Sequence, residues 1–512
     1  MNTARFKAIH FRRSSARPES VVLPPPKTSS SAPPSPVPPW ARVLDIVCLL
    51  LAFVALILSM SDGFRVRLLG IRLAVTSPFP PLIWAFVLGV ARHVLAPQQP
   101  LYREFPARLR EWVRLPQLRA AAAAVIGTRP AVLLVGYLAV LTFGYLNGRA
   151  PLRHFDSELM NLPVRWDAGW YLQIVTDGYR YAPNDSDVQQ DIVFFPAYPL
   201  LVRVLGRLFG GHMPGYVAAG MVISLAAFCA ALTYLYMFAR DGLGEEKAGY
   251  ALWLLASYPF ALFFGAIYTE SLFLLAIVGA LYHMAKDELW AAALWGLLAG
   301  LTKQNGALLC LPLALVAVSS WLSPALVRDP HALPLLTEPR ASKDVRRTLA
   351  ALVAAAMPAV GMLLYSAFIW RISGDPFAWA KGQMAWGRTY QSLTMFVATQ
   401  YAFIANAGLS GYLANPGYDA LNALGALFVL ATVWPVARRI GLSYALLIVI
   451  MIVPPIMYGG WLSAGRLSSV LFPAFVWLAS VIPPSHRAGW LVGFSALQAL
   501  CAAMFYTWRP LI

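Results

Sequence analysis

One acidic residue set between tryptophans has the makings of a reactive centre: Arg165-Trp166-Asp167-Ala168-Gly169-Trp170-Tyr171, running on through Ile174 to Gly178-Tyr179. Phe194-Phe195-Pro196-Ala197-Tyr198-Pro199 follows it in the same stretch. A carboxylate can take a proton from a hydroxyl, and an apolar wall of indoles would raise its pKa and make it a better base. Aromatic faces beside such a base would grip a sugar ring. A plainer role fits the same spacing, because an Asp ahead of an amphipathic run is a common helix N-cap. Spacing leaves base and cap both open.

Three other stretches supply partners: Tyr268-Thr269-Glu270-Ser271, Lys303-Gln304-Asn305 and Ser463-Ala464-Gly465-Arg466. Arg466 and Lys303 are suited to a phosphate, the guanidinium meeting it bidentately and the ammonium as a point charge. Around Arg466, the small residues Ser463, Gly465 and Ser468 would let the backbone approach a ligand. Either cation can instead snorkel to lipid headgroups, and Arg466 can pair with Glu270 purely for structure. Glu270 is open between an acceptor contact and a partner for either cation. Trp166, Trp170, Tyr171, Tyr198 and Tyr268 complete the candidate substrate contacts, although aromatic belts at membrane interfaces need no ligand. Asp185, Asp187 and Asp191 read as a solvated acidic loop, with a divalent-cation site as the alternative.

The elements that must position these residues are membrane helices. The 512-residue chain is 59% hydrophobic and only 12% charged, where soluble domains carry roughly a quarter charged residues. Apolar runs near twenty residues recur along it, the length needed to cross a hydrocarbon core. The expected fold is therefore an all-α polytopic membrane protein of about thirteen spans, from 42–61 to 489–506 and including 128–147, 248–267 and 467–482. The stretch 393–411 would be a further span or a re-entrant helix. Residues 1–40, basic and then Pro/Ser-rich, read as a disordered cytoplasmic tail. Residues 41–127 read as two extra spans and a basic connector, and 128–512 as a core with outer loops 148–212 and 371–419.

The net charge of +17 does not point to nucleic acid, because the basic residues collect in alternate connectors, which is the pattern of membrane orientation. Counting spans from a cytoplasmic N-terminus puts those connectors inside. Asp167, Glu270, Lys303 and Arg466 then all fall on the extracytoplasmic side. The four cysteines sit within apolar segments and support neither a disulfide framework nor a zinc site. No internal repeat stands out, which weakens a transporter reading built on inverted halves.

Trp166-Asp167-x-x-Trp170-Tyr171-x-x-Ile174-x-x-x-Gly178-Tyr179, then Phe194-Phe195-Pro196-x-Tyr198-Pro199, then Tyr268-Thr269-Glu270-Ser271-x-Phe273 closely resemble the GPI mannosyltransferase II (PIG-V-like) family and its bacterial relatives. Gly300-Leu301-Thr302-Lys303-Gln304-Asn305-Gly306 and Ser463-x-x-Arg466-x-x-x-x-x-Phe472-Pro473 look like two further blocks of that family. The resemblance covers about residues 128–506. It implies a GT-C glycosyltransferase fold in the plasma membrane, a polyprenyl-phosphate sugar donor, mannose transfer with inversion on the outer side, and no metal or other cofactor. It also implies that Asp167 is the base. Lys303 departs from the pattern where relatives more often carry Arg, and Leu467 follows Arg466 where Tyr is more usual. The acceptor is not named by the resemblance. Two rival readings are a flippase of lipid-linked sugars and a metal-dependent oligosaccharide transferase using a diphosphate carrier.

Overall fold

The computed structural model describes residues 38–59, 64–68, 71–75, 77–96, 111, 114–146, 152–183, 188–321, 344–414 and 417–511. The tail expected over 1–40 lies almost wholly outside these. So do Asp185, Asp187 and most basic residues of the connectors 97–127 and 323–348.

The chain is almost entirely helical among the described residues. The first half contains α1 (Pro39–Ser59), α2 (Phe79–Leu95), α3 (Pro116–Phe143), α4 (Ala168–Asp177), α5 (Ala197–Leu208), α6 (Met213–Leu243) and α7 (Glu245–Ser257). Then come α8 (Glu270–Ala285), α9 (Leu289–Thr302), α10 (Cys310–Ala317), α11 (Val345–Ser373) and α12 (Leu393–Ala414). The chain ends with α13 (Gly417–Ala431), α14 (Val433–Arg439), α15 (Leu442–Gly459), α16 (Ala464–Ser468), α17 (Phe472–Val481) and α18 (Arg487–Tyr506). One departure from an all-α fold is an antiparallel hairpin, β1 (Phe64–Leu68) on β2 (Ile71–Val75), with Phe64 opposite Val75.

By length and composition, six described helical segments are able to cross a membrane, or seven if a bent pair counts as one span. This is a multi-pass membrane protein. Five more apolar helices run only 10–17 residues, short for a hydrocarbon core of about 30 Å at 1.5 Å per residue. The thirteen spans expected from the sequence exceed what length and apolarity establish.

Two expected spans are broken. The stretch 248–267 is not one straight helix: α7 stops at Ser257, and the chain turns by 85° into a 3₁₀ segment, Pro259–Gly265. Pro259 is the cause, since it lacks an N–H and disfavours the helical conformation at the residue before it. Carbonyls freed in an apolar interior must find donors. Here Arg129, buried in α3, donates to Ala256 O at 2.5 Å and also to Ala261 O. Gln498 of α18 donates to Ala256 O at 3.1 Å and to Tyr258 O at 2.7 Å. The stretch 467–482 is likewise divided between the end of α16 and all of α17, which opens on Pro473 in its first turn. Both breaks place non-helical backbone deep in the protein, where it presents side chains that a continuous helix would not.

α1 and α2 are tied by a buried ion pair, Arg92 Nε to Asp45 Oδ1 at 2.8 Å. Farther along, α9 and α11 approach through small residues, as membrane helices commonly do. A Cβ on Gly300 would lie 1.9 Å from the carbonyl oxygen of Pro358, and one on Gly361 would lie 2.5 Å from that of Leu297. Backbone cannot swing aside as a side chain can. Gly300→Ala should therefore destabilise the purified protein by about 1–3 kcal/mol, seen as a lower midpoint of thermal unfolding. Gly249→Ala, in α7 with open space around it, should leave the midpoint unchanged or raise it slightly.

Candidate active site

The loop carrying Asp167 is fixed before Asp167 itself is considered. Arg165 is fully buried, and its guanidinium donates to Asn161 O at 2.5 Å and to Tyr506 O at 3.1 Å. The indole N–H of Trp166 donates to Phe505 O at 3.0 Å. These contacts staple the loop to the end of α18 and hold Trp166 in the left-handed region at φ +53°. Tyr268 closes the arrangement from the other side: its hydroxyl accepts from Asp167 N at 3.0 Å and donates to Arg165 O at 3.3 Å.

Asp167 occupies the N-cap position of α4, but its side chain makes no capping hydrogen bond. The carboxylate turns instead to Arg466, with Oδ2 2.6 Å from Nη1. On its other edge, Arg466 Nε lies 2.6 Å from Glu270 Oε1, and the same oxygen receives Lys303 Nζ at 2.5 Å. Asp167, Arg466, Glu270 and Lys303 thus form one continuous chain of alternating charge. Glu270 is fully buried and Arg466 only 9% exposed, whereas Asp167 and Lys303 keep 17% and 15% exposure. The buried members are compensated from below by aromatic rings, with the Arg466 guanidinium 5.0 Å from the Tyr268 ring centre and 5.7 Å from that of Phe263. Glu270 sits in the first turn of α8, where the helix dipole favours an anion.

Arg466 is delivered by the broken helix. Ser463 adopts φ +63°, and α16 follows for a single turn. The expectation that Ser463, Gly465 and Ser468 open the backbone to a ligand is corrected at two of the three. A Cβ on Gly465 would lie 2.1 Å from the Phe260 ring, and Ser468 Oγ lies 2.7 Å from the Tyr258 hydroxyl. Those small residues let α16 pack against the 3₁₀ segment and the end of α7.

A cavity of about 640 Å³ opens above the charge chain. Asp167, Lys303 and Arg466 line it, and its walls carry Trp166, Trp170, Trp386 and Trp508 together with Tyr171. Among the described residues, three of the four non-glycine residues with positive φ, Trp166, Ser463 and Trp508, line this one cavity. Such conformations cost on the order of 1–3 kcal/mol each and cluster at functional sites. Tyr268 and Glu270 lie beneath the lining. Tyr198 is not brought to the cavity: it is buried, with its hydroxyl against Gly220 O at 3.0 Å and Ser224 Oγ at 2.9 Å of α6. Asp191 is buried as well and accepts from Arg180 N at 3.2 Å; burial pushes its carboxyl up to about 6. Among the described residues no three His, Cys, Asp or Glu side chains gather as a metal site would need.

Sequence reasoning missed Arg388 and Trp508, both in the cavity wall. Arg388 follows the 3₁₀ turn Gly382–Trp386 and donates to Ser463 Oγ at 3.5 Å. Gly459 packs against it, since a Cβ there would lie 3.1 Å from Nη1. Burial and the neighbouring Arg466 pull its pKa down to about 10, which leaves it a cation at neutral pH. Arg388 shares its connector with Arg371 and Lys381, so its residue type alone did not set it apart. For Trp508, beyond the last apolar run, the sequence likewise carries no distinguishing signal.

Comparison with known proteins bears on this geometry. Residues 152–406 match the family model described as mannosyltransferase (PIG-V), a segment that holds Asp167, Glu270, Lys303 and Arg388 but ends before Arg466. No curated protein matches the chain. Solved structures of the Archaeoglobus fulgidus oligosaccharyltransferase resemble it slightly. The complex with zinc and sulfate has 12% identity over 73% of this chain and 53% of that one, with a TM-score of 0.34. The complex with an inhibitory peptide and a dolichol-phosphate has 12% identity over 74% and 55%, with a TM-score of 0.35. The form tethered to an acceptor peptide has 13% identity over 78% and 55%, again with a TM-score of 0.35. The chain spans about half the length of these structures, and likenesses of this size carry no argument. The family assignment stands on the matched segment: the chain belongs to the mannosyltransferase (PIG-V) family of membrane glycosyltransferases.

Proposed function

We propose that the protein transfers a single sugar, mannose, from a polyprenyl-phosphate carrier to an acceptor hydroxyl, with inversion at the anomeric carbon and without a metal. The observation that carries this reading is the placement of Asp167. It lies at a helix N-cap position without capping, lines a tryptophan-walled cavity, and is oriented through one oxygen by Arg466.

In the reaction, the acceptor oxygen forms a bond to the anomeric carbon from the face opposite the carrier. Its proton passes to the Asp167 carboxylate as the bond between the anomeric carbon and the phosphate oxygen breaks. The electron pair of that bond leaves with polyprenyl phosphate. Lys303 and Arg466 face the growing negative charge, and preorganised cations in a site shielded from water are suited to stabilising it. Trp166, Trp170 and Tyr171 offer faces for the sugar and its acceptor. Glu270 and Tyr268 act from below by fixing Arg466 and the Asp167 loop. The basic connectors support a cytoplasmic N-terminus and a site on the extracytoplasmic face of the plasma membrane. With the bent pair and each shorter apolar helix taken as spans, α1 included, the count returns to thirteen with all the site residues on that face. Residues 1–40 as a tail, 41–127 as an added pair of spans and 128–512 as the catalytic core complete this reading.

In membranes supplied with labelled polyprenyl-phosphate mannose, Asp167→Asn at wild-type abundance should lower transfer by about 10²-fold or more, and EDTA should change nothing. Undiminished transfer by Asp167→Asn would remove its role as base, and loss of wild-type transfer on adding EDTA would reverse the metal-free reading.

The pH dependence supplies a separate test. Burial brings the Lys303 ammonium down to about 8 against the opposing pull of Glu270. Its charge is therefore present at neutral pH and lost as pH rises through that value, and transfer should fall on the alkaline side. Lys303→Arg keeps the cation charged across this range and should move the alkaline limb of kcat/KM upward by about one pH unit or more. Superimposable profiles would exclude the Lys303 charge from the reaction.

A further inference from the structure

The charge chain beneath the cavity is already balanced. Asp167 and Glu270 supply two negative charges and Arg466 and Lys303 two positive ones, all within ion-pair contact. Arg388 is different. Among the described residues it forms no ion pair with a carboxylate, and its one polar side-chain contact is the Ser463 hydroxyl at 3.5 Å. With Arg388 counted, the site holds three cations against two carboxylates, an excess of one positive charge. A sugar joined to a lipid through one phosphate is a phosphodiester carrying one negative charge.

Behind Arg388 lies a second cavity of about 640 Å³. It shares Lys303, Arg388 and Arg466 with the first, so the cations form a seam between the two. Away from that seam the second cavity is largely apolar, lined by Leu308, Met384, Pro454, Pro455, Tyr458 and Leu467; its polar exceptions are Asn305, Thr389 and Lys381, the last neutralised by Asp375 at 2.6 Å. The two prolines lie inside α15 and contribute apolar ring surface to the cavity wall. Met384 and Tyr458 are exposed at its rim. The loop forming one wall is pinned to α15, with Gln391 N donating to Met457 O at 2.7 Å. One side of the seam is thus polar and aromatic, the other greasy.

We propose that Arg388 is the residue that takes the donor phosphate, and that the apolar cavity behind it takes the first isoprene units of the carrier. Arg466, held between two carboxylates, is then chiefly the residue that orients Asp167. This deepens the reading given above and rests on it for the donor class. The phosphate sits on the seam, the sugar projects into the tryptophan-walled cavity toward Asp167, and the chain runs along α15.

The test is binding of a sugar-free probe to the purified full chain, followed by transfer with the same preparations. Wild type should bind polyprenyl monophosphate at least about 10-fold more tightly than the corresponding polyprenol. Arg388→Ala should weaken binding of the phosphate by about 10–100-fold, the usual loss for a charge-assisted hydrogen bond, and leave polyprenol binding unchanged. Arg388→Lys should recover part of the loss. Leu308→Trp, which fills the apolar cavity, should weaken the long-chain probe while sparing a short-chain one such as geranyl phosphate. Excess phosphatidylglycerol should not displace the probe; displacement would make the seam a general anionic-lipid site and overturn the proposal. It is overturned equally if folded Arg388→Ala or Leu308→Trp binds as wild type does, or if wild type binds no polyprenyl phosphate. Arg388-dependent binding without sugar transfer would keep this proposal and sink the proposed reaction instead.

Discussion

A guanidinium shared between two carboxylates governs this structure. Arg466 reaches Asp167 with one nitrogen and Glu270 with another, and Lys303 completes the pairing of Glu270. Charges withdrawn from water are costly unless each is met by an opposite charge and by hydrogen bonds. Four such groups contributed by four separate parts of the chain can be buried only together. Removing any one member leaves its neighbours uncompensated, so the cluster constrains the loop before α4, the start of α8, the end of α9 and the single turn of α16 at once.

That requirement accounts for the irregular backbone around it. A continuous span over 248–267 would not turn into the 3₁₀ segment that leads to Glu270, and a continuous span from Arg466 onward would not offer α16 as a separate turn. Each break exposes carbonyls that the apolar interior cannot leave unmet, and Arg129 and Gln498 answer them at the first break. The left-handed residues Trp166, Ser463 and Trp508 are a second sign of the same constraint. They hold their conformations because neighbouring contacts over-determine them, as the stapling of Arg165 and Trp166 to the end of α18 illustrates.

The polar cluster and the two cavities also divide the work sensibly. The paired charges fix geometry, while the excess charge at Arg388, which has no carboxylate partner among the described residues, leaves room for an anion. Under the proposed reaction this division matters, because a carrier lipid would have to bring its headgroup to a polar site without drawing its chain out of an apolar one. Cations on the boundary between an aromatic cavity and a greasy cavity meet that condition.

Much of this was legible in the chain. Apolar runs placed most of the helices within a few residues, because burial in lipid demands a long and nearly uncharged segment. Asp167, Glu270, Lys303 and Arg466 stood out because ionisable residues near the ends of such segments need a reason to be there. Pro259 and Pro473 marked where the helices could break, but the 85° turn and the side chains it presents were not legible, since a short apolar run reads alike whether straight or folded back. Tyr198 sat in a suggestive motif yet serves packing against α6, and Arg388, not singled out within the outer loop expected at 371–419, reaches the cavity. The sequence alone determined a membrane-embedded helical chain with a few costly polar residues. Which of those residues touch, and that Asp167 turns to a guanidinium rather than to its own helix, was decided by the tertiary structure, because buried charge is settled by whichever opposite charge the packing brings within reach.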